Sequence, residues 1–331
     1  MVDVTGIGSW PGSDVREALR IIRDELGPDA VSEGVRPVPY LPELPARGPG
    51  ADLVGRSAHL LVDLPVDLQP QGWRLVDRPG RDAERAASLW GQDLDELAEA
   101  FDGYAGPLKV QVAGPWTLAA SLWRPLGDRV LDDPGATRDV VGSLAEGVRG
   151  HLDRVSRLVP GAQLVLQVDE PSLSAVLLGR IRSESGYRVL RVPEHGEVVA
   201  ALGEVLSAGG RSAALVGVHT CAGDPPVDVL REAGAGFVAL DLARLDTRRW
   251  DQVAEAVEDG LALWAGLRVE EPDAEQGLLR HWHELGLPRE RLQDLTLTTP
   301  CGLAGSTPAA ALAATRAGLR VATRLAEHGE T

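Results

Sequence analysis

The chain is short of several residue types, and each shortage excludes a class of protein. Two cysteines in 331 residues, Cys221 and Cys301, cannot build a disulfide scaffold, and they favour a reducing compartment. Lys109 is the only lysine, so arginine supplies nearly all the positive charge. Acidic residues outnumber basic ones by 49 to 33, which gives a formal net charge of −16. A surface this acidic argues against nucleic acid and anionic membranes as partners.

Long apolar runs and targeting segments are also missing. No uninterrupted apolar stretch reaches the roughly 18 residues that a membrane helix needs. The N-terminal MVDVTGIGSWPG lacks a basic region followed by an apolar run, so it does not resemble a signal peptide. We therefore expect a cytoplasmic protein without a membrane partner. Its hydrophobic content of 44% is ordinary for a globular protein, and a chain of this length can bury a large core.

Short apolar runs alternate with longer amphipathic segments along the chain. Strands are predicted at Val4–Gly8, Leu108–Val112, Leu164–Val168, Ala214–Val218, Phe237–Leu240, Leu261–Leu267 and Leu295–Thr298. An eighth strand is expected near either Val35–Val38 or Trp73–Val76. Helices are predicted over Asp14–Leu26, Asp82–Phe101, Thr137–Leu158, Glu197–Ser207, Pro226–Ala233, Arg248–Glu258, Asp273–Leu285 and Thr307–Glu327. Repeated strand-then-helix units indicate a parallel sheet covered by helices.

Two parallel architectures fit this alternation, a closed eight-stranded barrel and an open doubly wound sheet. An open nucleotide-binding sheet usually carries G-x-G-x-x-G after its first strand, and the turn GIGSWPGSD does not match that pattern. No linker or break in composition divides the chain. The sequence therefore predicts an α/β fold, a single (β/α)8 TIM-type barrel over residues 1–331, with an elaborated loop region at about 36–80.

Residues able to do chemistry collect just after the predicted strands, where a TIM barrel has its active site. His219 and Cys221 are two apart on an extended segment, so their side chains share a face. Cys301 and Asp241 follow two further strands. One imidazole nitrogen, two sulfurs and one carboxylate form a ligand set that suits Zn²⁺. The sequence thus predicts a zinc site formed by His219, Cys221, Asp241 and Cys301.

Two other interpretations of the cysteines stay open. Free cysteines are commonly small buried hydrophobic residues with no chemical role. Cys221 and Cys301 could also form a redox pair, which their separation in sequence does not forbid.

The adjacent acids Asp169 and Glu170 also follow a predicted strand. Two neighbouring carboxylates cannot both face an apolar core cheaply, so one is expected to face the barrel mouth and bind a cationic group such as an amine. We expect substrate contact from Asp169 and from Glu170. The alternative is that the acids stabilise the N-terminus of a helix. Trp10 and Trp116 could wall the same pocket or serve in packing.

Five segments together resemble the catalytic half of cobalamin-independent methionine synthase. These are GIGSWPG, AGPWTLA, QVDEPSL, VHTCAG and TTPCGL, and the resemblance runs from Gly6 to about Pro308. It implies a barrel of the uroporphyrinogen decarboxylase/methionine synthase-like superfamily and a zinc ion on the four ligands above. It further implies that Ser9 and Asp169 hold the carboxylate and amine of an amino-acid substrate.

Three departures from the family pattern concern the site. The acidic zinc ligand is Asp241 where the family typically has glutamate. The stretch Leu263–Leu267 lacks the histidine that serves the family as proton donor, so no catalytic residue is assigned. An acidic segment of the family's early loop aligns loosely with Ala46-Arg47-Gly48-Pro49, where Arg47 would alter the pocket.

These observations lead to one main functional hypothesis. It is a methyltransferase similar to 5-methyltetrahydropteroyltriglutamate–homocysteine methyltransferase, in which a zinc-bound homocysteine thiolate attacks a methyl group to give methionine. The expected partners are a small thiol and a methyl donor, either a folate, a corrinoid protein or another methylated compound. The acidic chain is a poor match for a polyglutamylated folate. The alternatives are a uroporphyrinogen decarboxylase-like enzyme and a non-catalytic barrel that binds a small molecule.

Overall fold

The fold, seen in a computed structural model that describes residues 1–27, 30 and 33–330, is an eight-stranded parallel sheet surrounded by helices. Its strands are β1 (Val2–Val4), β2 (Val35–Pro37), β5 (Gly106–Ala113), β6 (Ala162–Asp169), β7 (Leu215–Thr220), β8 (Phe237–Asp241), β9 (Ala262–Gly266) and β10 (Thr296–Thr298). A separate antiparallel hairpin consists of β3 (Val66–Gln69) and β4 (Gly72–Leu75).

Eight helices match the predicted ones to within a few residues. They are α1 (Val15–Leu26), α3 (Arg81–Ala100), α5 (Pro134–Leu158), α7 (His195–Gly209), α8 (Val227–Glu232), α9 (Thr247–Glu258), α10 (Ala274–Glu284) and α11 (Pro308–Glu330). Three short helices were not predicted, namely α2 (Leu53–Ala58), α4 (Pro115–Ser121) and α6 (Leu173–Leu177). These three are only five to seven residues long, and their sequences show no clear helical apolar period.

Backbone hydrogen bonds close the sheet into a barrel. The strand order β2-β1-β10-β9-β8-β7-β6-β5 leaves β2 and β5 at the two edges. The N–H of Lys109 in β5 donates to the carbonyl of Pro39 at 2.9 Å, and the N–H of Leu41 donates to the carbonyl of Lys109 at 3.0 Å. The predicted (β/α)8 fold is confirmed, and the segment near Val35–Val38 supplies its eighth strand. The stretch Trp73–Val76 lies instead in the outer hairpin.

The apolar residues fill two compartments. The larger lies between the strands and the helices. The smaller is inside the barrel and consists of Ile7, Val165, Phe237, Ala239 and Trp264. The rings of Phe237 and Trp264 stack there with centroids 3.7 Å apart. Because side chains alternate along a strand, the same strands also place polar groups inside the barrel, toward its carboxyl end.

The helices of the described residues include none with the length and apolar character needed to cross a membrane.

Candidate active site

A pocket of about 170 Å³ lies at the carboxyl ends of the barrel strands. Polar residues from five different loops or strand ends line it: Ser9, Glu43, Asp169, His219, Cys221 and Cys301. Five of these were predicted from sequence as site residues, and Glu43 was not. The carboxyl end of a TIM barrel is where active sites form, so this pocket is the candidate active site.

His219 and Asp169 form the central hydrogen bond of the pocket. The two residues are partners in the register of β6 and β7, which places their side chains side by side. The Nδ1 of His219 lies 2.7 Å from Oδ1 of Asp169. Burial would by itself lower the pKa of His219, but the hydrogen bond and charge of Asp169, together with Cys301 and the Pro300 carbonyl, outweigh burial and raise it. Asp169 also accepts a 2.7 Å hydrogen bond from Nε2 of Gln167, so its position is fixed from two sides.

The two cysteines meet at the mouth of the same pocket. Their Sγ atoms are 3.8 Å apart, although 80 residues separate them in sequence. Hydrogen bonding from the Cys221 thiol, together with the nearby His219, lowers the pKa of Cys301 to about 6. The same hydrogen bond raises the pKa of Cys221, because the Cys221 thiol holds its proton while it donates to the Cys301 thiolate. The pair therefore offers one thiolate near neutral pH.

The side chains of His219, Cys221 and Cys301 provide nitrogen and sulfur atoms of the kind that bind zinc. Two sulfurs bound at about 2.3 Å in a tetrahedral site lie about 3.8 Å apart, which is the separation of these thiols. The Asp169 carboxylate is hydrogen-bonded to Nδ1 of His219, so Nε2 is the ring nitrogen that can bind a metal. Zinc-bound histidines commonly have such a carboxylate partner on their other ring nitrogen. That Nε2 now lies 3.4 Å from the carbonyl of Pro300. Among the described residues, no group of three or more His, Cys, Asp and Glu side chains is already arranged as a metal site.

Asp241 differs from its expected role as the fourth ligand. Its Oδ2 lies 3.4 Å from Nη2 of Arg268, and its Oδ1 accepts a hydrogen bond from the N–H of Ala243. The side chain borders a neighbouring cavity and not the 170 Å³ pocket. His219, Cys221 and Cys301 thus fit zinc in ligand type and thiol spacing, whereas Asp241 is engaged elsewhere.

Glu170 and Trp116 have structural contacts where substrate contact was expected. The fully buried Glu170 carboxylate accepts hydrogen bonds from the N–H groups of Trp116 and Thr117, at 2.9 and 2.8 Å, and from the Thr117 hydroxyl. These groups form the first turn of α4, so Glu170 caps the N-terminus of that helix. This is the role that the alternative interpretation gave to the acids. The Trp116 ring is fully buried and its indole N–H faces the carbonyl of Val198. Neither side chain lines the pocket.

Ser9 does line the pocket, next to the loop that carries Cys301. The N–H of Leu303 donates to the carbonyl of Ser9 at 2.8 Å, which joins the two loops. A Cβ on Gly302 would lie 2.0 Å from the Ser9 Oγ, so any larger residue there would displace the Ser9 hydroxyl. The geometry keeps the Ser9 hydroxyl and the Cys301 loop within one wall of the pocket.

Glu43 is the site residue that the sequence prediction missed. It belongs to the early loop, and the parallel bridge between Ser9 and Glu43 brings it to the pocket. Burial raises the pKa of Glu43 to about 7, against the nearby positive charge of Arg56. A lone glutamate in the apolar, proline-rich stretch PYLPELP was the available signal.

Glu43 belongs to a buried network of charged side chains. Arg56 has its Nε 3.7 Å from Glu43 Oε1 and also binds Asp93. Arg47 donates to the other oxygen of Asp93 at 2.6 Å. Arg47 therefore faces away from the pocket, and its positive charge is neutralised by Asp93. The guanidinium of Arg56 also lies over the ring of Trp90, 4.3 Å from its centroid.

Lys109, the lone lysine, lies inside the barrel beneath the pocket. Its Nζ donates to the carbonyl of Ile7 at 2.8 Å and to Oε1 of Gln111 at 3.1 Å. Burial lowers the pKa of Lys109 to about 8, and the negative charges of Asp169 and Glu43 oppose that shift. The only lysine thus acts as a counter-ion to the two pocket carboxylates.

Comparison with known proteins gives structural matches alone. No family profile and no curated protein sequence matches the chain. A methyltransferase from Methanosarcina mazei is similar with a TM-score of 0.56 and 11% identity, over 94% of this chain and 84% of that one. A B12-independent methionine synthase from Shewanella sp. W3-18-1, solved with selenomethionine, matches with a TM-score of 0.47 and 13% identity over 70% of this chain. The chain spans 66% of that protein, just under two thirds. At this identity the first likeness establishes a shared barrel fold.

Proposed function

We propose that the protein is a zinc-dependent methyltransferase that transfers a methyl group to the thiol of homocysteine and yields methionine. One observation carries the proposal. A single pocket joins two thiols at the spacing of zinc ligands, an imidazole oriented by a carboxylate, and two further groups suited to an amino acid. The five sequence segments that resemble cobalamin-independent methionine synthase support the same function.

His219, Cys221 and Cys301 are the residues that would hold the metal. Three protein ligands leave one coordination position open, which is the pattern of catalytic zinc sites. When bound, zinc lowers the pKa of a ligating thiol, whose ordinary value is about 8.5, so that the acceptor is a thiolate at neutral pH. Asp169 keeps the His219 ring in one orientation through the Nδ1 hydrogen bond.

The rest of the pocket suits the α-amino acid part of the acceptor. Asp169 and Glu43 are carboxylates that can accept hydrogen bonds from an ammonium group, and a bound ammonium would favour the ionised form of Glu43. The Ser9 hydroxyl can donate to the substrate carboxylate. A volume of about 170 Å³ accommodates one small amino acid and leaves no room for a large donor.

The charges in the pocket disfavour the decarboxylase alternative. A substrate with several carboxylates needs basic side chains around it. The ionisable residues that line this pocket, within the part of the chain that the structure describes, are Glu43, Asp169, His219 and the two cysteines.

Metal analysis tests the proposal. We expect about one zinc per purified chain and none in the Cys221→Ser/Cys301→Ser variant. Asp241→Asn is the matched control and should keep its zinc, because Arg268 engages that side chain. The zinc-loaded protein should form methionine from homocysteine when a suitable donor is supplied, as measured by mass spectrometry. A wild-type protein that contains no zinc after purification and reloading would refute the proposal.

A further inference from the structure

A second and larger cavity adjoins the candidate active site. It has a volume of about 690 Å³, about four times that of the first pocket. Cys301 and Gly302 line both spaces, so the two meet at the loop that carries a thiol. Methyl transfer needs the acceptor and the donor to approach each other in line. Because the small pocket holds one amino acid, the donor must approach from an adjoining space.

The lining of this cavity has both an apolar surface and charges. Helix α11 contributes small side chains along one wall, at Ala310, Ala313, Ala314 and Ala317. Two positive residues, Arg268 and Arg320, are matched by two negative ones, Asp241 and Glu270. Arg268 is paired with Asp241, while Arg320 is exposed and has no ion-pair partner in the described part of the chain. The lining has no net charge, which suits a zwitterion better than a polyanion.

The need of a leaving group for a proton restricts the chemical class of the methyl donor further. Among the described residues that line the cavity there is no histidine, and the two acids are Asp241, which is buried and paired with Arg268, and the exposed Glu270. Histidine is the side chain that most often donates a proton to a leaving group near neutral pH, and this lining provides no imidazole for that step. A tertiary amine that carries the methyl group needs a proton to leave. A sulfonium or quaternary ammonium does not, because the sulfur or nitrogen that loses the methyl group becomes neutral by keeping the electron pair.

We propose that the 690 Å³ cavity binds the methyl donor, and that this donor is a carboxylate-bearing methyl sulfonium or methyl quaternary ammonium compound. The inference rests on the proposed function. In the transfer, a lone pair on the acceptor sulfur forms the new S–C bond. The bond between the methyl carbon and the positive sulfur or nitrogen breaks, and its electron pair stays with the leaving atom. Arg320 binds the donor carboxylate, and α11 packs against its alkyl groups.

Calorimetry and kinetics on the zinc-loaded, full-length protein test the inference. The probes are dimethylsulfonioacetate and glycine betaine, with trimethylsulfonium as a cation that lacks a carboxylate. Ala314→Phe should fill the cavity, weaken binding of the onium acids at least tenfold, and leave the KM for homocysteine unchanged. Ala309→Phe on the exposed, non-lining part of α11 is the control. Arg320→Gln, which is exposed and leaves the fold intact, should weaken binding of the two acids but not of trimethylsulfonium.

The possible outcomes separate this inference from the proposed function. Unchanged onium binding in both Ala314→Phe and Arg320→Gln would overturn the placement of the donor. Faster transfer from 5-methyltetrahydrofolate than from either onium acid would overturn the donor class. If no donor methylates homocysteine while Ala314→Phe still abolishes onium binding, the proposed function fails and the binding site stands.

Discussion

The Nδ1 of His219 and the Oδ1 of Asp169 lie 2.7 Å apart because their strands are paired in register. We predict that Asp169→Asn lowers zinc affinity about 10- to 100-fold, since an amide cannot orient and polarise the imidazole as a carboxylate does. Competition with a chromophoric chelator measures this. Glu43→Gln removes a carboxylate from the same pocket without altering the His219 hydrogen bond and is the control. Equal affinities of Asp169→Asn and wild type would contradict the assignment.

The thiol pair should show unequal reactivity in metal-free protein. The pKa of Cys301 is lowered to about 6, since Cys221 hydrogen-bonds to its thiolate and His219 is close, and the pKa of Cys221 is raised. Cys301 should therefore be alkylated first by iodoacetamide, with a rate that rises through about pH 6 and levels off above it. Peptide mass spectrometry identifies the modified residue. In the Cys221→Ser variant the midpoint for Cys301 should shift upward, and an unchanged midpoint would exclude the proposed coupling.

The buried network beneath Glu43 should make a large contribution to stability. Asp93 is fully buried and accepts hydrogen bonds from both Arg47 and Arg56. Asp93→Asn leaves the buried Arg47 guanidinium without a counter-charge and leaves Arg56 with Glu43 alone, 3.7 Å away, so we expect a loss of about 3–5 kcal/mol in the free energy of unfolding. Urea denaturation measures the change. Asp24→Asn removes one partner of the exposed Arg20–Asp24 pair and should cost about 0.5 kcal/mol or less. Similar losses in both variants would argue against the network.

Glu43 should contribute a pH dependence with a defined sign. Its pKa is about 7 in the folded protein because of burial, above the ordinary value of about 4.5. Between these values the folded state holds a proton that the unfolded state has released, so this contribution to stability is complete below pH 4.5 and is lost as pH rises through 7. The slope is at most about 1.4 kcal/mol per pH unit. Glu43→Gln should remove it.

Urea titrations at several pH values between 5 and 8 measure that slope as the difference between Glu43→Gln and wild type. The difference cancels the contributions of other buried groups such as His151, whose pKa is lowered to about 3 by burial. Glu99→Gln, at an exposed glutamate on α3, is the control and should follow the wild-type curve. A Glu43→Gln curve parallel to that of wild type would show that Glu43 is ionised throughout this range.

Sequence patterns were sufficient for the repeating elements. Strand and helix periods, together with the missing G-x-G-x-x-G turn, identified the barrel because every βα unit must bury its apolar face in the same way. The short helix α4 was missed because seven residues show little periodicity and because its N-terminus is capped by a residue distant in sequence, the Glu170 carboxylate. The choice between two candidates for the eighth strand also needed the structure, since Trp73–Val76 pairs only with its neighbour in the hairpin.

Five of the polar residues in the candidate site were identified from sequence, since scarce cysteines and a histidine at strand ends mark the carboxyl face of a barrel. The tertiary structure alone decided which of these side chains share a pocket. It brought Cys221 to 3.8 Å from Cys301, paired Asp241 with Arg268, and delivered Glu43 from a loop without periodic structure. The physical reason is that strand register and burial set where a side chain lies. The charged residues that pair with such a side chain are distant in sequence, so a local sequence pattern does not reveal them.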